Sequence, residues 1–72
     1  MRIEFINDRR GYCVEMERDL LGDVVLRRRW YSLHTKRHGG KQQVFVEEAA
    51  AVRVIEAVER ARLRKGYRRV SM

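Results

Sequence analysis

The sequence predicts an α+β domain: a small antiparallel β-sheet of three to five strands packed against one C-terminal α-helix. Three observations predict it. Short segments in the first 46 residues alternate apolar and polar side chains with period two, residues 47–65 carry one long stretch of three-and-four apolar spacing, and Gly, Asn and Asp punctuate the boundaries. A chain of 72 residues holds one domain, residues 1–72, and a domain of that size buries only a modest fraction of its surface. Nearly every apolar residue must therefore join one core, and dimerisation would help. A composition of 44% hydrophobic and 38% charged residues with no proline fits a globular interior under a heavily ionic exterior.

Residues 2–7 set Ile3 and Phe5 on one side of an extended segment, and Asn7-Asp8-Arg9-Arg10-Gly11 supplies turn chemistry. Tyr12, Val14 and Met16 then share a face opposite Cys13, Glu15 and Glu17, the pattern of a half-buried second strand. Asp19, Gly22 and Asp23 mark a hairpin connection into residues 24–32, so these two strands pair antiparallel. In the third segment Val24, Leu26, Arg28, Trp30 and Ser32 face one way and Val25, Arg27, Arg29 and Tyr31 the other, which presents cations on both faces.

Residues 33–41, with two His, three cations and Gly39-Gly40, read as an exposed, mobile loop before a strand at 42–46. The helix follows over residues 47–65, with Ala51, Val54, Ile55, Val58, Ala61 and Leu63 as its apolar face. Glu47 and Glu48 sit at the positive end of its dipole, Arg62, Arg64 and Lys65 at the negative end, and Gly66 is placed for a left-handed cap. Glu56 and Arg60, four apart, are expected to pair along the helix. Residues 67–70 return as a short strand, with Tyr67 packing and Arg68 and Arg69 at least partly exposed.

Net charge is +7, and its distribution is more informative than its total. Residues 24–46 hold six cations and residues 60–72 hold six more, with no acid in either block, whereas residues 1–23 and 47–59 are net acidic. Blocks of one sign attract polyanions, and phosphate backbones are the obvious partner. Fourteen arginines against three lysines suit bidentate phosphate contacts, although the same bias arises from a GC-rich genome or from a surface that only keeps a domain soluble.

Catalytic chemistry is not legible. Ser32, Ser71 and Cys13 stand in segments with no elbow or base spacing, and one cysteine excludes an intramolecular disulfide. His34 and His38 with one thiol cannot complete a four-ligand zinc site, and Gly39-Gly40 is no phosphate-cradling loop, so no metal and no cofactor is expected. A metal-independent ribonuclease built from Tyr31, His34 and His38 needs converged geometry that a sequence does not display. We therefore expect no enzyme. Without an apolar leader or a span of eighteen apolar residues, the chain reads as cytoplasmic with no membrane partner. Trp30 has two readings: a plug for the small core, or a surface indole that stacks on a sugar or base beside Arg27-Arg28-Arg29.

The order of elements and several residues resemble the WGR domain, a small module of bacterial proteins and of DNA-damage-responsive poly(ADP-ribose) polymerases. The likeness covers residues 12–67. Tyr12 to Leu26 resembles the family's opening hairpin, Arg29-Trp30 the start of its Arg-Trp-Gly-Arg run, and Gly39 to Gln42 its Gly-Gln turn. Phe45 with Glu48-Ala49 and the closing Arg64-Lys65-Gly66-Tyr67 complete it. At the motif itself this chain reads Trp30-Tyr31-Ser32, then Leu33-His34, so the signature Gly and Arg are missing and only Trp30 carries over.

The resemblance implies a DNA contact near a strand break. Resemblance and charge together nominate Arg28, Trp30, Lys36, Arg37, Lys41, Arg64 and Lys65 as nucleic-acid-binding residues, with DNA duplex or duplex ends held through phosphates. The alternative is a protein-interaction module with a degenerate motif, whose basic face docks an acidic protein or a second copy.

Overall fold

The computed structural model describes residues 1–71 and builds the predicted α+β architecture with five strands. In chain order these are β1 (Arg2–Ile6), β2 (Arg10–Arg18), β3 (Val24–Ser32), β4 (His38–Phe45), α1 (Glu48–Arg64) and β5 (Arg68–Ser71). The sheet order is β4-β3-β2-β1-β5, antiparallel throughout. Four strands meander, α1 crosses one face from the β4 edge, and β5 closes the far edge beside β1 with a register shift at Glu4/Phe5.

Period-two patterning sets which face is covered. Ile3, Phe5, Tyr12, Val14 and Leu26 turn to the helix, where Ile55, Val58 and Tyr67 meet them, and Met16, Phe45 and Val54 fill the margin. Phe5, Leu26, Val14 and Val24 are the largest fully buried side chains. The helix buries Ala51, Ile55 and Val58 at spacings of four and three. Leu63, expected on that stripe, is exposed, because five residues beyond Val58 rotate it about 140° away. Arg62 holds the next stripe position instead.

The helix ends as its sequence directs. Gly66 has φ +88°, Gly66 N–H donates to Leu63 O at 3.2 Å and Tyr67 N–H donates to Arg62 O at 3.0 Å, the paired bonds of a Schellman cap. That cap turns Tyr67 back onto the last helical turn and into the core. The expected Glu56–Arg60 pair does not form; Glu59 instead bridges to Arg69 on β5 at 3.4 Å.

The region 33–41 departs most from expectation. Only residues 33–37 form a loop, since His38, Gly39, Gly40 and Lys41 pair with β3 from Tyr31 back to Arg28, while Val46 falls beyond the strand. Gly39 reads locally as a breaker, but its place opposite Trp30 is a packing requirement: a Cβ there would overlap the indole Nε1. The remaining loop is tied down rather than loose. Ser32 Oγ accepts from the His34 and Thr35 N–H groups, each at 3.1 Å, and Leu33 N–H donates to Arg9 O at 2.8 Å.

Candidate nucleic-acid interface

Three connections gather at one end of the sheet: the β1–β2 turn, the β3–β4 loop and the helix C-terminus leading to β5. Segments 7–10, 32–38 and 62–68 at this end carry eight cations, Arg9, Arg10, Lys36, Arg37, Arg62, Arg64, Lys65 and Arg68, against the single acid Asp8. The opposite end, segments 17–24 and 45–48, carries Glu17, Asp19, Asp23, Glu47 and Glu48 against Arg18. Charge is therefore separated along the strands, and α1 points its negative dipole end at the basic pole, where cations are favoured.

Ion pairing sharpens the separation. The salt bridges among the described residues are Arg2–Glu4, Arg18–Glu48, Arg27–Glu17, Arg29–Glu15 and Arg69–Glu59. Arg27 and Arg29 lie on the sheet face away from the helix, where β2 presents Glu17 and Glu15 within reach. Cations therefore stand on both faces, as the alternation predicts, but the outer-face arginines meet carboxylates across the strand pair. On the same face Tyr31 donates to Glu4 Oε2 at 2.7 Å, and this hydrogen bond, with burial, pushes its pKa up to about 12. Arg2 Nε donates to the buried Cys13 Sγ at 3.2 Å, which together with the nearby Glu4 raises the arginine's pKa.

The helix-side face beyond the core presents a different surface. Trp30 stacks on Tyr12 with centroids 6.0 Å apart and planes 22° off parallel, yet remains 41% exposed. It is neither sealed in the core nor free: one side packs and the other faces solvent. Arg62 lies 4.6 Å from the Tyr12 ring centroid and 5.1 Å from that of Tyr67, so Tyr67, Arg62, Tyr12 and Trp30 form a continuous cation–aromatic row. An open cavity of about 910 Å³ runs along this row, reaching Arg9, Arg10 and Arg37 at its rim. A second of about 540 Å³ joins it from the turn side, adding Lys65.

Of the sequence-nominated residues, Arg28, Trp30 and Lys41 share the helix-side face, with Arg28 directly opposite Lys41 in the register. Arg28 donates to Gln43 Oε1 at 3.1 Å, toward the Leu26 side and away from Trp30, and neither Arg28 nor Lys41 lines the two cavities. Arg37 rims the larger cavity and Lys65 lines the smaller, while Lys36 projects exposed from the intervening loop. Arg64 lines neither, because two helical residues beyond Arg62 turn it about 200° from the row.

Sequence reasoning missed Arg9, Arg10, Arg62, Tyr12 and Tyr67 as site residues. The signal for Arg62 was present in the 51-55-58-62 stripe; Arg9 and Arg10 stood in a net-acidic segment and are recruited only by sheet topology. Among the described residues no three His, Cys, Asp or Glu side chains cluster as metal ligands, and no helix is long and apolar enough to cross a membrane. Comparison with protein-family models, curated proteins and solved structures finds no match for this chain.

Proposed function

We propose that this domain is a non-enzymatic nucleic-acid-binding module that grips duplex DNA or DNA ends through phosphate contacts at its basic pole. One observation carries the reading: the arginines held by carboxylates lie elsewhere, whereas Arg9, Arg10, Arg37 and Arg62 line one cavity with a half-exposed indole, Lys65 lines the adjoining one, and none of the five has a carboxylate partner within 4.0 Å among the described residues. Unpaired guanidinium groups can exchange water and counterions for phosphate oxygens without breaking an internal salt bridge, which favours polyanion binding. The polarised charge would also orient the molecule, basic pole first, during encounter. Trp30 supplies a flat apolar surface against which a sugar or base edge packs.

The WGR resemblance supports the same assignment, with an altered motif. The position after Tyr31 is Ser32 rather than arginine, and its hydroxyl is engaged by the loop N–H groups of His34 and Thr35. Phosphate contact therefore falls to Arg9, Arg10 and Arg37, and little base specificity is expected. A heteronuclear NMR titration tests this with duplex, nicked hairpin and an acidic peptide as ligands. Duplex or nicked DNA should shift the Trp30 indole resonance and residues 9–10 and 33–37. Shifts with the acidic peptide and none with DNA would replace this reading with a protein-interaction module.

A further inference from the structure

The outer edge of β4 carries a surface that the proposed DNA contact does not explain. Ser32 N–H donates to Arg37 O at 2.9 Å, one step past the Tyr31–His38 end of the β3–β4 ladder and in its register, which fixes the phase of the ladder's hydrogen bonds. Alternation along an antiparallel ladder then directs the backbone groups of Gly39, Lys41, Gln43 and Phe45 inward to β3, and those of His38, Gly40, Gln42 and Val44 outward. β4 is a terminal strand of eight residues with no proline, whereas the other edge, β5, has four residues. Beside the outward groups stand Val44 and Val46, 57% and 83% exposed. Such an edge is a template for another strand.

We propose that β4 pairs antiparallel with β4 of a second copy of this chain, about a two-fold axis through Gln42, joining two sheets into one ten-stranded sheet. Outward-facing residues must pair with outward-facing residues, which restricts the register to even with even. The axis at Gln42 sets Gly40 opposite Val44, giving that exposed valine a neighbour with no competing side chain, and brings His38 toward Val46 just past the strand end. Just beyond the paired strands it brings Arg37, which precedes β4, toward Glu47 of the second copy, which follows it.

Moving the axis to Lys41 opposes two lysines, a destabilising cross-strand pair, and moving it to Gln43 takes Arg37 two residues out of step with Glu47. Antiparallel pairing also lays each protomer's basic pole beside the acidic pole of the other, so the long-range field favours the same arrangement. The backbone edge takes no part in the proposed DNA contact, and Arg37 is the one residue both would use.

Sedimentation equilibrium on the DNA-free full chain tests the proposal. Wild type should have twice the 8.7 kDa chain mass. Arg37→Glu and Glu47→Arg should each lower the mass to that of a monomer, and the double reversal should restore the dimer. Gln42→Cys should cross-link to its own copy on mild oxidation, well above wild type with its buried Cys13, and Gln43→Cys should not. A wild-type monomer at NMR concentrations overturns the proposal. Failure of the double reversal to restore the dimer, or equal cross-linking by both cysteine variants, does so as well.

Discussion

The guanidinium of Arg62 rests 4.6 Å from the centroid of the Tyr12 ring, linking the last turn of the helix to the second strand at the base of the indole row. With Tyr67 on its other side, Arg62 both closes the core and charges the cavity above it. Arg62→Met keeps the apolar stem and removes the charge. Two cation–π contacts of about 0.5–1 kcal/mol each predict a stability loss of about 1–2 kcal/mol in urea unfolding. If Arg62 also meets phosphate, the salt slope of DNA binding should fall in magnitude by about 0.9.

Gly39 predicts a separable effect. A Cβ at this position overlaps the Trp30 indole, so Gly39→Ala must displace the ring from its stack on Tyr12. Overpacking of this kind costs about 1–3 kcal/mol. Tryptophan emission should shift with the indole's solvent exposure, and DNA affinity should drop although no charge has changed; an unaltered emission spectrum would show that the ring is not held against the glycine.

Charge removal should discriminate between the two faces. Arg27→Gln with Arg29→Gln removes cations already bound to Glu17 and Glu15, so DNA affinity should change little. Arg9→Gln with Arg10→Gln should weaken binding and reduce the salt slope by about 1.8 if each side chain neutralises one phosphate. Fluorescence anisotropy with labelled duplex at several salt concentrations checks both pairs.

Tyr31 gives a pH signature. Its folded pKa of about 12 lies above the ordinary value of 10, so the neutral phenol is favoured by folding. The contribution is fully present below pH 10 and is lost as pH rises toward 12, because the unfolded chain releases the proton first. Tyr31→Phe removes the hydrogen bond to Glu4 and should cost about 1 kcal/mol at pH 7. The gap between variant and wild type should narrow between pH 10 and 12 in urea titrations.

How much of this was legible beforehand follows from the range of the forces involved. Local periodicity placed Ile3, Phe5, Val14 and Leu26 in the core and Gly66 in its cap, because pleat, helical pitch and a positive φ act over a few residues. The strand start at His38 was not legible: Gly39-Gly40 is a breaker to a local reading, and only the indole across the ladder explains glycine there. Block counting likewise found Lys36, Arg37 and Lys41, but it could not show that Arg27 and Arg29 meet carboxylates on β2. Nor could it join Arg9 and Arg10 to the helix C-terminus, since cross-strand register carries no signature in a single segment.

The most direct measurement of the central claim is the equilibrium affinity of the wild-type domain for a short duplex as a function of salt. Four neutralised phosphates predict that log affinity falls against log salt with a slope of about −3.6. Absence of binding at low salt, or an affinity indifferent to salt, would contradict the assignment of the basic pole to a phosphate backbone.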